Sequence, residues 1–176
     1  MHRRLIHVSF ILGMTCLLVA CGFQLRGTGG TRAALPEQWK SMHLVSSNPN
    51  GEFSRNVTAL FAANGVQWTE SDAANFRLVL APETFEQRNL SLNSEARVAE
   101  FELTMRSQFS VLDASGREVM PLTDVTIVKQ MENDPRNVVG KEGEVRLIQS
   151  EMRYELAEQI MRRIGFFATS NTPPAS

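Results

Sequence analysis

The chain has 176 residues with 18 Lys and Arg against 19 Asp and Glu, so its net charge of −1 offers no bulk attraction for nucleic acid. Two cysteines and three histidines leave little material for a zinc site, a disulfide framework or a thiolate nucleophile. There is no Gly-rich phosphate loop and no nucleophile elbow, so neither enzyme chemistry nor a cofactor is expected.

The chain opens MHRR and continues LIHVSFILGMTCLLVA, a short basic stretch followed by a mostly apolar one, which is the pattern of an export signal. A spanning helix needs about 20 apolar residues. Here the run is interrupted by His7 and Ser9 and followed at once by Gly22, Gln24 and Arg26, so removal is expected. Arg3-Arg4 alone is a weak sign of twin-arginine export, and general secretion fits better. The tetrapeptide Leu18-Val19-Ala20-Cys21 resembles the lipobox of bacterial lipoproteins, whose cysteine becomes the first mature residue and carries lipid. That resemblance implies a signal peptide over 1–20 and lipidation of Cys21. Gly22 stands where an aspartate would retain such a lipoprotein in the inner membrane, which favours the outer membrane. Cys16, His2 and His7 leave with the signal, and the remaining His43 lies among Met42, Leu44 and Val45, where a structural role is expected.

Residues 21–38, rich in Gly, Thr and Arg, read as a lipidated tether. Met42 to Val45 reads as a first strand closed by the turn-rich SSNPNG. Phe53, Val57, Leu60 and Phe61 share one helix face over Phe53 to Asn64, and Gly65 sits where a left-handed C-terminal cap belongs. VQWTE is a candidate short strand, and Phe76, Leu78 and Leu80 alternate in a strand that Pro82 disrupts and that resumes from Phe85 to Leu92. The clearest strand is VAEFELTMRSQFSVLD, with Ala99, Phe101, Leu103, Met105, Phe109 and Val111 on one face and Glu100, Glu102, Thr104, Arg106, Gln108 and Ser110 on the other. The turn DASG leads into Glu118 to Met131, which predicts an antiparallel hairpin ended by Asp134-Pro135. From about Gly143, Val145, Ile148, Met152, Leu156, Ile160 and Ile164 mark a second helix, with Arg162 and Arg163 in its last turn and Gly165 as its stop. The domain is therefore set at 39–166, followed by a disordered tail over 167–176.

The order β-α-β-β-β-α has one economical solution, an α+β two-layer sandwich: a mixed four-stranded sheet with both helices packed on one face. The opposite face stays polar and wet.

The lipobox with CGFQLRG, then NPNGEFSRNV leading into a helix that ends NGV, then AEFELTM, NDP and the closing EMRYELAEQIMRRI together resemble the LPS-assembly lipoprotein family LptE. The resemblance covers nearly all of the mature chain in order and spacing. It implies a non-enzymatic outer-membrane lipoprotein that sits in the lumen of the large LptD-type β-barrel as plug and folding partner, and that binds lipopolysaccharide. The family carries a lysine shortly after the Asp-Pro loop, and Lys141 falls there. A family arginine at the tip of the preceding hairpin is replaced by Ser94, with Arg97 and Arg88 bracketing that tip as candidates to supply the charge. Phosphates on the glycolipid would want such local cations, because charge-assisted hydrogen bonds exceed neutral ones. The alternative is an outer-membrane lipoprotein that binds a periplasmic ligand or peptide at the open sheet face without a barrel partner. Glu100 and Glu102 on that face are explained by strand alternation and need no catalytic role.

Overall fold

The computed structural model describes residues 35–133 and 138–171, so the signal peptide, Cys21, the Asp134-Pro135 break and residues 172–176 of the expected tail lie outside the described residues. After a 3-10 turn at Glu37–Lys40 come β1 (Ser41–Ser46), α1 (Glu52–Ala63), β2 (Gln67–Trp68), β3 (Phe76–Leu80), β4 (Thr84–Leu92), β5 (Val98–Asp113), β6 (Glu118–Glu132) and α2 (Val138–Ser170). β1 runs parallel to β2 and β3, while β3, β4 and β6 are antiparallel to β5. The α+β class and the mixed sheet agree with the sequence reading. The strand count does not: six strands pair where four were expected.

Both additions have local causes. Gln67–Trp68 pairs with β1 as a two-residue edge. Pro82 cuts the expected strand in two, and both pieces lie along the same side of β5. β3 pairs with Leu80↔Phe109 at its end, β4 resumes with Thr84↔Arg106, and β6 occupies the other side. A proline lacks the N–H a ladder needs. At the break Ala81 N donates to Gln108 O (2.9 Å), and the buried Ser107 hydroxyl donates to Ala81 O (2.8 Å), so the interruption leaves that carbonyl satisfied.

α1 ends as its sequence predicts. Gly65 takes φ 91°, its N–H donates to Ala62 O, and Val66 N donates to Phe61 O, the paired bonds of a Schellman cap. α2 departs from expectation at both ends, beginning at Val138 and running through Gly165 to Ser170. The apolar face overrides the glycine, because Phe167 and Ala168 continue past it the face of Ile160 and Ile164 and pack into the core. Arg162 and Arg163 therefore lie short of the last turn, and residues 167–170 of the expected tail are helical.

One core joins the layers. Leu78, Leu103, Met105, Phe109 and Val111 of the sheet meet Val57 and Phe61 of α1 and Met152, Leu156, Ile160 and Ile164 of α2. Both tryptophans pack. Trp39 stacks on Phe76 at 4.0 Å and meets Phe167 edge-on at 6.0 Å, and Trp68 Nε1 donates to Thr58 O at 2.9 Å. Leu35 is buried, so this residue assigned to the tether belongs to the folded body.

Candidate functional site

The expected cations fall near the β4–β5 hairpin and the first turns of α2. Asn93 shapes the hairpin loop, its Oδ1 accepting from Glu95 N and Arg97 N at 3.0 Å each, while Ala96 adopts φ 58°. Ser94 is exposed at the tip. Arg97 beside it makes a 3.3 Å ion pair with Glu95, and both side chains are largely exposed. Exposed pairs of this kind are weak, so the pairing does little to hold Arg97.

Arg88 lies directly across from Glu102. Its Nε donates to Oε1 at 2.6 Å. That hydrogen bond raises the arginine above its ordinary value and, against some desolvation, lowers the glutamate below its own. Arg106 and Glu86 form a looser neighbouring pair at 3.8 Å. Glu100 accepts from the Ser91 hydroxyl at 2.6 Å. Each glutamate thus has its own partner on β4, as a polar sheet face requires.

Lys141 sits on the other side of the sheet. Phe101 alternates with Glu102 along β5 and points into the core, and the Lys141 ammonium lies 4.0 Å from its ring centroid. The same Nζ donates to Asn133 Oδ1 at 2.6 Å. Asn133 is itself fixed, its Nδ2 donating to Val98 O (2.6 Å) and its N–H to Ala99 O (2.8 Å). A lysine in a fixed cradle has already lost much of its rotamer freedom, which is what a phosphate-binding cation needs. Lys141 is thus brought together with Phe101 and Asn133, but the sheet separates it from Arg88. Sequence reading missed both cradle residues: Phe101 was assigned only to the core and Asn133 only to the strand break.

Further along, Lys129 of β6 reaches Glu151 and Glu155 of α2, at 2.8 Å each. Burial works to lower its pKa, but the two hydrogen-bonded carboxylates prevail and hold the lysine above its ordinary value. His43 Nδ1 lies 2.9 Å from Thr69 O, a structural contact. Among the described residues, no group of three or more His, Cys, Asp and Glu side chains is arranged to hold a metal ion.

This domain coincides with a known one: the model of the LptE family, described as lipopolysaccharide-assembly, matches residues 39–164. The chain belongs to the LptE family. It is 29% identical to an LPS-assembly lipoprotein LptE from Pectobacterium atrosepticum, over 89% of this chain and 83% of that one. A protein of the same name from Yersinia pestis is 28% identical, with 89% and 74% covered. Among solved structures, rare lipoprotein B from Shewanella oneidensis superposes with a TM-score of 0.66 at 27% identity, covering 73% of this chain and 96% of that one. A lipoprotein B from Nitrosomonas europaea superposes with a TM-score of 0.69 at 20% identity, over 85% and 94%, and supports the fold. The family match runs from Trp39, the first buried aromatic, to Ile164 in the α2 core face, so it spans the sandwich described above.

Proposed function

We propose that this protein is an outer-membrane lipoprotein, tethered by lipid on Cys21, that plugs and helps assemble the lipopolysaccharide-transport β-barrel and binds lipopolysaccharide. The family match over the sandwich carries this reading. Among the described residues no helix is long and apolar enough to cross a membrane, and in this reading the acyl chains supply the attachment. Each buried CH₂ contributes about 0.8 kcal/mol, so two or more chains anchor stably where one is marginal. Lys141 is the leading glycolipid contact, because Asn133 and Phe101 hold its ammonium at the surface of the sandwich. Arg97 and Arg88 add positive charge near the adjacent hairpin, on a loop and on the open face respectively. No step of this function requires bond chemistry by the protein.

The test is affinity purification of the tagged, lipidated protein from detergent-solubilised outer membranes, quantified after stringent washing. A near-stoichiometric large β-barrel supports the reading. Recovery of the protein alone, with lipid intact on Cys21, would sink it and favour a free-ligand lipoprotein.

A further inference from the structure

The last turns of α2 carry an apolar and basic patch beside the start of β6. Arg162, Phe166 and Ser170 follow one another at four-residue spacing, so they share one exposed face of the helix. Phe166 is 74% exposed, more than any other large apolar side chain among the described residues, so it adds little to the core. Arg163 donates Nη1 to Asp124 O at 2.8 Å, and Arg162 makes only a 3.5 Å contact with Glu158. A guanidinium carries five N–H donors, so both arginines keep donors for an anion. With Met120 and Phe167 these side chains line a groove.

The place of this patch in the chain decides what it meets. The described sandwich begins at Leu35, which is buried, and Trp39 packs edge-on against Phe167 at 6.0 Å. The chain from Cys21 therefore enters the body beside the patch. Leu35 is 14 residues beyond Cys21, a span of at most about 50 Å. Lys141 lies 25 residues back along α2 from Phe166, about 38 Å along the helix. A lipid on Cys21 would hold the Phe166 end of the body near the bilayer, where even a weak second contact forms at high effective concentration. At such a surface an exposed ring enters the headgroup boundary, while arginines lay their apolar stems beside it and their guanidiniums on phosphates. A soluble anionic ligand would account for the arginines but not for the coincidence of patch and tether. We infer that the C-terminal end of α2 is a second membrane contact, docking on an anionic phospholipid surface through Phe166, Arg162 and Arg163. The inference rests on the lipid tether of the proposed function and adds an orientation, with Lys141 held away from the surface that anchors the protein.

The test is the fluorescence of a nitrobenzoxadiazole probe on Ser170→Cys, in the mature lipidated protein purified from outer membranes and reconstituted into vesicles of phosphatidylcholine and phosphatidylglycerol. Headgroup spin-labelled lipid should quench this probe about threefold more than the same probe on Ser94→Cys at the hairpin tip. Arg162→Glu and Phe166→Ser should each cut the quenching at position 170 about twofold, with unchanged thermal melting because both side chains are exposed. Vesicles without phosphatidylglycerol should act as Arg162→Glu does. Equal quenching at the two positions, in protein that floats with the vesicles, overturns the contact and leaves the tether standing. Quenching that neither substitution changes overturns the assignment to this patch. A stronger response of the probe to lipopolysaccharide than to phospholipid overturns it in favour of a glycolipid groove. If the parent protein does not float with vesicles, the tether has failed and this inference with it.

Discussion

The two ends of β5 are built on different physics. Around Phe109 and Val111 the strand is flanked by β3 and β6 and covered by α1 and the C-terminal half of α2, and Leu78, Phe61, Ile160 and Ile164 there are fully buried. Around Phe101 the neighbours are β4 and β6, the earlier part of α2 lies alongside, and Leu147 of that helix is 71% exposed. Phe101 and Met131 are buried here as well, but the margin of this end is polar: Lys141 on Asn133 and Phe101, Arg88 on Glu102, and Lys129 on Glu151 and Glu155. Apolar burial is densest at one end, while charge is displayed along the margin of the other. Separating the two lets a protein offer cations to an anionic partner without burying unpaired charge.

The largest expected effect is at the dense end. Phe109→Ala should cost about 3–5 kcal/mol, read as a lower denaturant midpoint for the purified protein in detergent. An effect below about 1 kcal/mol would mean that the two ends do not differ as described. Next is the seam between them, where Arg153 of α2 bridges Glu52 of α1 at 3.0 Å and Glu83 in the β3–β4 break at 2.8 Å. These groups are partly exposed, so Arg153→Ala should cost about 1–3 kcal/mol, between the surface and buried limits. At the polar end Lys141→Asp should leave the melting temperature within a few degrees of the parent while weakening lipopolysaccharide binding about tenfold. Unchanged glycolipid binding by that variant would remove Lys141 from the site, and lost barrel association would give it a structural role instead.

The smallest effect is pH-dependent and belongs to the β5–β6 turn. The Ser115 hydroxyl, two backbone N–H groups and Arg117 all donate to Asp113, which against some desolvation lowers its carboxyl below the ordinary 3.8. A lowered carboxyl contributes stability above its unfolded value and loses it as the pH falls through the folded one. Asp113→Asn should therefore narrow the stability gap from the parent below about pH 4, measured by denaturation at stepped pH. A gap that stayed constant down to pH 2 would show that the turn does not titrate as described.

Much of this was legible from periodicity. Period-two alternation marked the core face of β5, and Gly65 and the DASG turn marked the ends of elements because each needs special backbone geometry. The Gly165 stop was wrong for a physical reason. A glycine costs a helix roughly 1 kcal/mol, less than the burial of Phe167 and Ala168 returns beyond it. The candidate site was half legible: Lys141 stood out as a cation after the Asp-Pro loop, but its cradle did not.

The sequence by itself determined the α+β class, the core faces, the hairpin and the family, because these are written in local spacing and in motifs in order. Only the tertiary structure decided that β3 and β4 share one side of β5, that Lys141 and Arg88 lie on opposite faces, and that Gln159, Arg162 and Phe166 meet β6 in one groove. Such juxtapositions join residues far apart in the chain, and no local pattern encodes a distance that only packing sets.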